Sequence, residues 1–386
     1  MTGRERLLAA FYGEQADTVP FAPNLYLWFY ARKALGKLPA ELAGAQHPFE
    51  ALRRLGAEIL ARWDTMGATH SVYGGGPSSL EYSGNSGIPD VFTTAYNTYP
   101  PGRGTCSRRF HTPYGALRQT WNLSLEAGTD YQSEFLWKSW GDFKAIRYLL
   151  ETTSYVFDSG EFQSWVDRVG DDGLMMVHIT QSPLKTFHWL AGAGNASLFI
   201  ADHPEEMKEL AQIHEAKALS LLESIVDDAS AEVFMSLENL DSMFYSPRLY
   251  RDFCGSFFSR AAEIVHSRDK ILMVHACGRV RVLLPLVGRS GVDCLEGITP
   301  APAGNVELSE ARPLTGSNCF TVNGGMDAHH LEIAEDSERR IHDYTRRLFE
   351  SMGEGGRFIF ASSCGTTVPT PWQNLTYFRD AARAYG

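Results

Sequence analysis

The sequence predicts a (β/α)8 TIM barrel on three observations. From about residue 174, short apolar runs alternate with segments of helical pattern. The apolar runs are nearly continuous, which is typical of parallel strands buried on both faces. Repeated strand–helix–strand units form such sheets through right-handed crossovers. A barrel with insertions reaches the length of this 386-residue chain, so we expect one domain over residues 1–386.

Eight strands can be assigned to this barrel. Two are predicted in the first half of the chain, at residues 19–23 and 68–73, with a helix between them over residues 48–63. Six follow at residues 174–179, 232–237, 271–275, 292–296, 319–323 and 357–361. The residues before the first strand are predicted to form an N-terminal extension.

Helix boundaries are indicated by capping patterns. Pro204, followed by two acidic residues, begins one predicted helix, and the pair Ser246–Pro247 begins another. A third helix is predicted over residues 337–352 and ends at Gly353. Residues 75–140 break the alternation with Gly- and Ser-rich turns around a predicted hairpin at residues 115–123. We interpret them as an inserted lid over one mouth of the barrel.

The charge balance excludes some classes of partner. The formal net charge is −11, with acidic and basic residues interspersed, so no basic face for nucleic acid is predicted. No apolar run is long enough for a transmembrane helix. The first residues, MTGRERLLAAFYG, lack the pattern of a secretion signal, which favours a cytoplasmic protein.

Six cysteines in such a chain predict reduced thiols rather than a disulfide framework. Four of them lie in apolar or irregular contexts and are interpreted as inert: Cys106, Cys254, Cys294 and Cys319.

Four side chains that can bind zinc lie at predicted strand ends. His275 ends one run, Cys277 follows two residues later, Glu296 ends the next run, and Cys364 lies just beyond the last. The C-terminal ends of barrel strands meet at one rim, so these side chains are expected to converge. Zinc prefers thiolate and imidazole, accepts carboxylate and takes four ligands. The sequence therefore predicts a zinc site, although Glu296 alone could instead pair with Arg279 or cap a helix.

Other polar residues near strand ends are candidates for the chemistry around the metal. Glu238 and Asp241 are candidate catalytic residues that could bind substrate, protonate a leaving group or orient a metal ligand, with helix capping or a surface turn as the alternative. The candidate substrate-binding residues are His178, Asn323, Asp327 and Tyr26. The corresponding structural interpretations are a core position for His178, core packing for Tyr26 and a helix cap for Asp327.

Several motifs together resemble one protein family. They are VHACG at 274–278, SSCG at 362–365, NGGMD at 323–327, TPYGALR at 112–118, SPRLYRDF at 246–253 and the opening GRERLLAAFYGEQADTVPFAPN. The sequence resembles the uroporphyrinogen decarboxylase-like superfamily over nearly its whole length. Within it, the chain is similar to the zinc-dependent methyltransferases that move methyl groups between substrates, corrinoid proteins and thiols.

This resemblance implies a zinc-dependent methyltransferase. Zinc would act as a Lewis acid on the leaving oxygen of a methoxy compound, for which an aromatic one is favoured, and a corrinoid would accept the methyl group. Alternatively, zinc would hold a thiol as thiolate that accepts methyl from a methylcorrinoid. No D-x-H-x-x-G pattern for cobalt is present, so the corrinoid is expected on a partner protein.

Two other functions are less favoured. Metal-free decarboxylation of the uroporphyrinogen type would require an RQAGRY-like segment, and the corresponding region offers only Arg32 and Lys33. A binding protein without turnover would be expected to have lost metal ligands, and all four are retained. Barrels of this kind often pair through helical faces, so a homodimer is also an expectation.

Overall fold

The computed structural model describes residues 1–61, 69–72, 80–83, 104–124, 126, 129–228, 230–353 and 356–386. The strands are β1 (Ile59–Ala61), β2 (Thr69–Val72), β3 (Leu80–Ser83), β4 (Gly104–Thr112), β5 (Gly115–Ser124), β6 (Thr129–Glu134), β7 (Ser154–Phe157), β8 (Gly173–His178), β9 (Val233–Ser236), β10 (Ile271–His275), β11 (Cys294–Ile298), β12 (Thr321–Met326) and β13 (Phe358–Ser362).

The α-helices lie before, between and after these strands. They are α1 (Gly3–Tyr12), α2 (Tyr26–Ala34), α3 (Pro48–Leu55), α4 (Phe143–Thr152), α5 (Ser159–Val169), α6 (Pro183–Asp202), α7 (Pro204–Ile225), α8 (Pro247–Tyr250), α9 (Ser256–His266), α10 (Leu284–Arg289), α11 (Leu308–Thr315), α12 (Ser337–Met352) and α13 (Trp372–Tyr385). A π-helical turn at Arg251–Gly255 joins α8 to α9.

A parallel sheet closes into the predicted (β/α)8 barrel. Seven strands hydrogen-bond in the order β1-β8-β9-β10-β11-β12-β13. Residues 20–22 take the eighth position, since Ala22 N donates to Phe360 O of β13 at 2.8 Å. On their other side, the Glu58 amide just before β1 donates to Phe21 O at 2.9 Å. The strand predicted at residues 19–23 therefore does bridge the two ends of the sheet.

The six predicted strands after residue 170 are confirmed to within three residues at each end. The strand predicted at residues 68–73 is present as Thr69–Val72, but its predicted place in the barrel is wrong, because it pairs antiparallel with β7 in a separate sheet. The second barrel strand is β1, which lies inside the region predicted as helix. The helix ends early because Gly56 adopts the left-handed conformation at φ 71°. Residues 62–68 lie outside the described residues.

The insertion contains a four-stranded antiparallel sheet in the order β3-β4-β5-β6. The predicted hairpin at residues 115–123 is a single strand, β5, and the hairpin turn lies before it at Pro113–Tyr114. Residues 75–79, 84–103, 125, 127 and 128 of the insertion lie outside the described residues. The predicted position of this segment over the barrel mouth stays a prediction.

The core has two main parts. A large apolar cluster joins the helices to the outside of the barrel. A smaller cluster fills the interior, where Leu7 and Phe11 of α1 pack with Leu174, Met176 and Val233. The N-terminal helix thus covers the interior residues nearest the start of the strands. None of the helices in the described ranges has the length and apolar character needed to cross a bilayer.

Candidate metal centre

The barrel interior becomes polar toward the C-terminal ends of its strands. Met273 of β10 and Cys294 of β11 belong to the apolar interior cluster. Side chains two residues apart on a strand point to the same face, so His275 and Glu296 continue that face. The register pairs His275 with Glu296, and Glu296 with Asn323 of β12. These three polar side chains form a row across the carboxyl ends of three neighbouring strands.

Backbone hydrogen bonds place the two cysteines beside this row. Ala276 N donates to Glu296 O at 2.7 Å, which fixes the chain immediately before Cys277. Ser363 N donates to Met326 O at 2.9 Å, which fixes the chain immediately before Cys364. The Ser362 hydroxyl also donates to the Cys364 carbonyl at 2.7 Å.

Gly297 lets the two cysteine-bearing connections come together. Its φ is +95°, and a Cβ built on it would lie 2.7 Å from Ala276 O and 2.8 Å from Ser363 O. Any side chain there would push these carbonyls apart and would also be strained at this φ. The glycine after Glu296 is therefore required by the close approach of the segments that carry Cys277 and Cys364.

Three potential metal donors converge as a result. One donor atom each from His275, Cys277 and Cys364 lies within 4.8 Å of the other two. Within the described ranges, these residues make up the group of three that can hold one metal ion. His275 is buried and the two cysteines are half-buried. Two thiols and an imidazole are the donor types that zinc prefers, so the residues present fit the expected metal.

Glu296 contacts the histidine of this group. His275 Nδ1 lies 2.5 Å from Glu296 Oε2, and the side chains are 8% and 11% exposed. An ionised carboxylate only accepts, so Nδ1 carries the proton and Nε2 is the ring nitrogen whose lone pair could bind a metal. A carboxylate that orients a metal-binding histidine in this way is a common feature of zinc sites. The expectation that Glu296 itself binds zinc stays a prediction.

The thiol of Cys277 interacts with the thiol of Cys364 and with the charge of Lys185. Hydrogen bonding to Cys364 and burial raise the pKa of the Cys277 thiol well above its usual value. The positive charge of Lys185 acts in the opposite direction. Lys185 lies in the first turn of α6 and is 5% exposed, so its charge is poorly screened by solvent.

Glu238 anchors the start of the helix that carries Lys185. The carboxylate accepts from Ser182 N at 2.6 Å, from the Ser182 hydroxyl at 3.0 Å and from the Tyr245 hydroxyl at 3.1 Å. Ser182 in turn caps α6 by accepting from Lys185 N. Burial raises the pKa of Glu238, while the hydrogen bonds from Ser182 and the charge of Lys185 oppose this change. The candidate catalytic carboxyl is thus fully buried against the N-terminus of α6.

Two further predicted residues, Asp241 and Asp327, accept hydrogen bonds from nearby backbone amides. Asp241 accepts from Met243 N at 2.8 Å, and its other oxygen lies against Gly278, so it caps a turn near Cys277. Asp327 accepts from His329 N at 2.8 Å and caps a 3-10 helix. Both contacts match the capping alternative.

The four candidate substrate-binding residues, His178, Asn323, Asp327 and Tyr26, are all buried. His178 ends β8 and is 1% exposed, and Asn323 is 2% exposed. The Asn323 Oδ1 atom has no hydrogen-bond partner in the part of the chain that the structure describes, which leaves it available to a ligand. Tyr26 packs against the rings of Tyr30 and Phe49 in the core. Contact of any of them with substrate stays a prediction.

Sequence reasoning missed Lys185 and His188, which lie on the same face of α6. The His188 ring packs edge-on against Tyr245 with centroids 5.2 Å apart. Burial, and secondarily the charge of Lys185, lower the pKa of His188 to about 3, so it is neutral at physiological pH. The available signal was a lone lysine in the apolar stretch PLKTFHWLAG, directly after a barrel strand.

Comparison with known proteins now decides the family. The sequence model of the uroporphyrinogen decarboxylase (URO-D) family matches residues 149–385, which is more than half of the chain. The chain belongs to the URO-D family. The resemblance drawn from the VHACG and SSCG motifs is therefore confirmed at the family level. No curated protein matches the chain.

Solved structures agree with the fold of this URO-D family member. A methyltransferase from Methanosarcina mazei superposes with a TM-score of 0.62 at 14% identity, covering 100% of this chain and 99% of that one. At this identity the match establishes the shared fold. A psychrophilic family 10 endo-β-1,4-xylanase matches with a TM-score of only 0.36 at 13% identity, over 58% of this chain and 81% of that one. It adds nothing to the assignment.

Proposed function

We propose that this protein is a zinc-dependent methyltransferase that moves a methyl group between a small methoxylated substrate, favoured to be aromatic, and a corrinoid on a partner protein. The observation that carries the proposal is the cluster of His275, Cys277 and Cys364 at the carboxyl end of the barrel. Membership of the URO-D family and the fold shared with a methyltransferase support it. When bound, zinc would supply Lewis acidity to the methoxy oxygen.

The residues of the chain would hold and orient this centre. Glu296 would keep the His275 proton on Nδ1, so that Nε2 would be the ring nitrogen that binds the metal. Glu238 fixes the start of α6 through Ser182, which in turn sets the position of Lys185. The buried ammonium places positive charge close to the thiols, where negative charge accumulates on deprotonation.

Methyl transfer from a methylcorrinoid to a thiol is the second candidate function. The donor group contains three protein atoms, and a tetrahedral zinc site would then have one position for an external ligand. Positive charge from Lys185 beside Cys277 favours an anionic group such as a thiolate in that position.

Free cobalamin can replace the unidentified corrinoid protein in the test. The zinc-loaded enzyme is incubated with cob(I)alamin and a series of methoxybenzenes, or with methylcob(III)alamin and small thiols, and the cobalamin spectrum is followed. Turnover in the first arm supports demethylation, and turnover in the second supports thiol methylation.

Two cysteine variants are matched controls for each arm. Cys364→Ala should abolish turnover, whereas Cys319→Ala, which removes an exposed thiol outside the cluster, should retain it. Equal activity of both variants would contradict a role for the metal site. Absence of turnover in both arms, with decarboxylation of a porphyrinogen by the metal-free protein, would favour the decarboxylase alternative instead.

A further inference from the structure

A fully buried arginine lies in the inserted sheet. Arg108 of β4 is 1% exposed, and its Nε donates to the Gln119 side-chain oxygen at 3.0 Å across the sheet. Gln119 is itself 0% exposed and lies opposite Arg108 in the register of β4 and β5. The guanidinium stands over the rings of Trp121 at 5.1 Å and Phe110 at 5.4 Å.

The charge of this guanidinium has no counterion among the described residues. Both terminal nitrogens of Arg108, and the amide nitrogen of Gln119, are buried without a hydrogen-bond partner in the described part of the chain. At the surface, by contrast, Arg147 binds both oxygens of Glu209 at 2.7 and 2.8 Å. Arginine remains charged in proteins, and burying an unpaired charge is strongly unfavourable. The aromatic contacts of Arg108 offset only part of that cost.

The N–H groups of Arg108 and Gln119 that have no hydrogen-bond partner among the described residues indicate which kind of ligand would bind. Arg108 offers the parallel fork of its two terminal nitrogens, because Nε is already bound to Gln119. Gln119 adds a third N–H donor, so the free groups include donors and no acceptor. Such a fork matches the two oxygens of a carboxylate. Trp121 and Phe110 provide flat apolar surfaces beside it, which suits a planar body.

We propose that Arg108 and Gln119 form a binding site for a small planar organic carboxylate, such as an aromatic acid. The sheet that carries them is inserted between the barrel strands β1 and β8. The proposal rests on the unpaired donors alone and stands whether or not the protein transfers methyl groups.

Binding of 4-methoxybenzoate to the full chain tests this site without metal or corrinoid. Calorimetry should give saturable binding to wild type, and the probe should raise its Tm by several degrees. The uncharged analogue methoxybenzene should bind at least about tenfold more weakly because it cannot engage the fork. Phosphate binding with the same dependence on Arg108 would overturn the assignment of a planar carboxylate.

Variants of two adjacent arginines separate the site from general charge effects. Arg108→Lys keeps the charge but loses the fork, and should weaken binding at least about tenfold. Arg109→Lys alters an exposed side chain on the opposite face of the same strand and should bind as wild type does. Equal affinity of the two variants, or no binding by wild type, would overturn the proposal.

A third variant tests whether the chain already supplies a counterion. Arg108→Met removes an unpaired buried charge, so its Tm without probe should equal or exceed that of wild type. A Tm lower by many degrees, together with loss of the wild-type circular dichroism spectrum, would mean that a carboxylate of the protein pairs with Arg108. That outcome would also overturn the proposal.

Discussion

Replacing Glu296 by glutamine distinguishes an orienting carboxylate from a metal ligand. The carboxylate lies 2.5 Å from His275 Nδ1, and it lies outside the group of three donors that converge. We therefore expect Glu296→Gln to weaken zinc binding without abolishing it. The glutamine oxygen can still accept from Nδ1, but the negative charge that stabilises this tautomer is lost.

The magnitude follows from the contact. Carboxylate partners of metal-binding histidines typically contribute about 10- to 100-fold in metal affinity. At about 1.4 kcal/mol for each factor of ten, this corresponds to about 1.4–2.8 kcal/mol. The two side chains are 8% and 11% exposed, so solvent screens the interaction weakly. We expect a loss toward the upper end of this range.

Competition with a chromophoric zinc chelator at pH 7 measures the effect. Cys277→Ala, which removes a donor of the cluster, gives the reference for loss of a ligand. Glu310→Gln removes an exposed carboxylate paired with Arg281 and should leave zinc affinity unchanged. If Glu296→Gln loses zinc as completely as Cys277→Ala, the carboxylate is a ligand. If it loses nothing, the orienting role is refuted.

Three further outcomes follow from local contacts. Gly297→Ala should reduce the zinc retained after gel filtration, because a Cβ would displace two carbonyls beside the cysteines, whereas Gly194→Ala, in open space on a helix, should not. Phe360→Ala should lower the free energy of unfolding in urea by about 3–5 kcal/mol, since the ring is 0% exposed; a loss below 1 kcal/mol would contradict its packing role. The hydrogen bond to Asp293 raises the pKa of His266 above 6.5, so its stabilisation is fully present below pH 6.5 and is lost as pH rises through the higher folded-state value. The stability difference between wild type and His266→Gln should therefore shrink as pH rises from 6 to 9, and a growing difference would refute this sign.

The second half of the barrel could be predicted because each strand there is a compact apolar run. Ile271–His275, for example, has five buried residues in succession and is followed by a break at Gly278. The first half lacks this signal. The strand Ile59–Ala61 has only three residues and follows a helix so closely that the apolar pattern runs on from one into the other. What separates them is the left-handed cap at Gly56, whose amide donates to the carbonyls of Arg53 and Leu52.

The convergence of the metal donors could be predicted because the strands that carry them could be predicted. Parallel strands end at one rim, so polar residues that end successive runs must be neighbours. Lys185 could not be found in this way, because it reaches the site from a helix rather than from a strand end. Its position depends on the Ser182 cap and on Glu238, a contact between residues 56 positions apart that no local pattern indicates.

The spacing of the metal donors is therefore set by the backbone more than by side-chain contacts. Cys277 and Cys364 are each held by a main-chain hydrogen bond of the preceding residue to a neighbouring strand. Gly297 contacts both of these preceding residues, so one backbone position couples the spacing of the two thiols. A substitution there should lower metal retention more than it lowers the free energy of unfolding, because the barrel sheet can absorb a small shift that a metal ion, with bond lengths fixed to within about 0.2 Å, cannot. A substitution such as Phe360→Ala should show the reverse order, with stability lost first and metal retained in the molecules that stay folded.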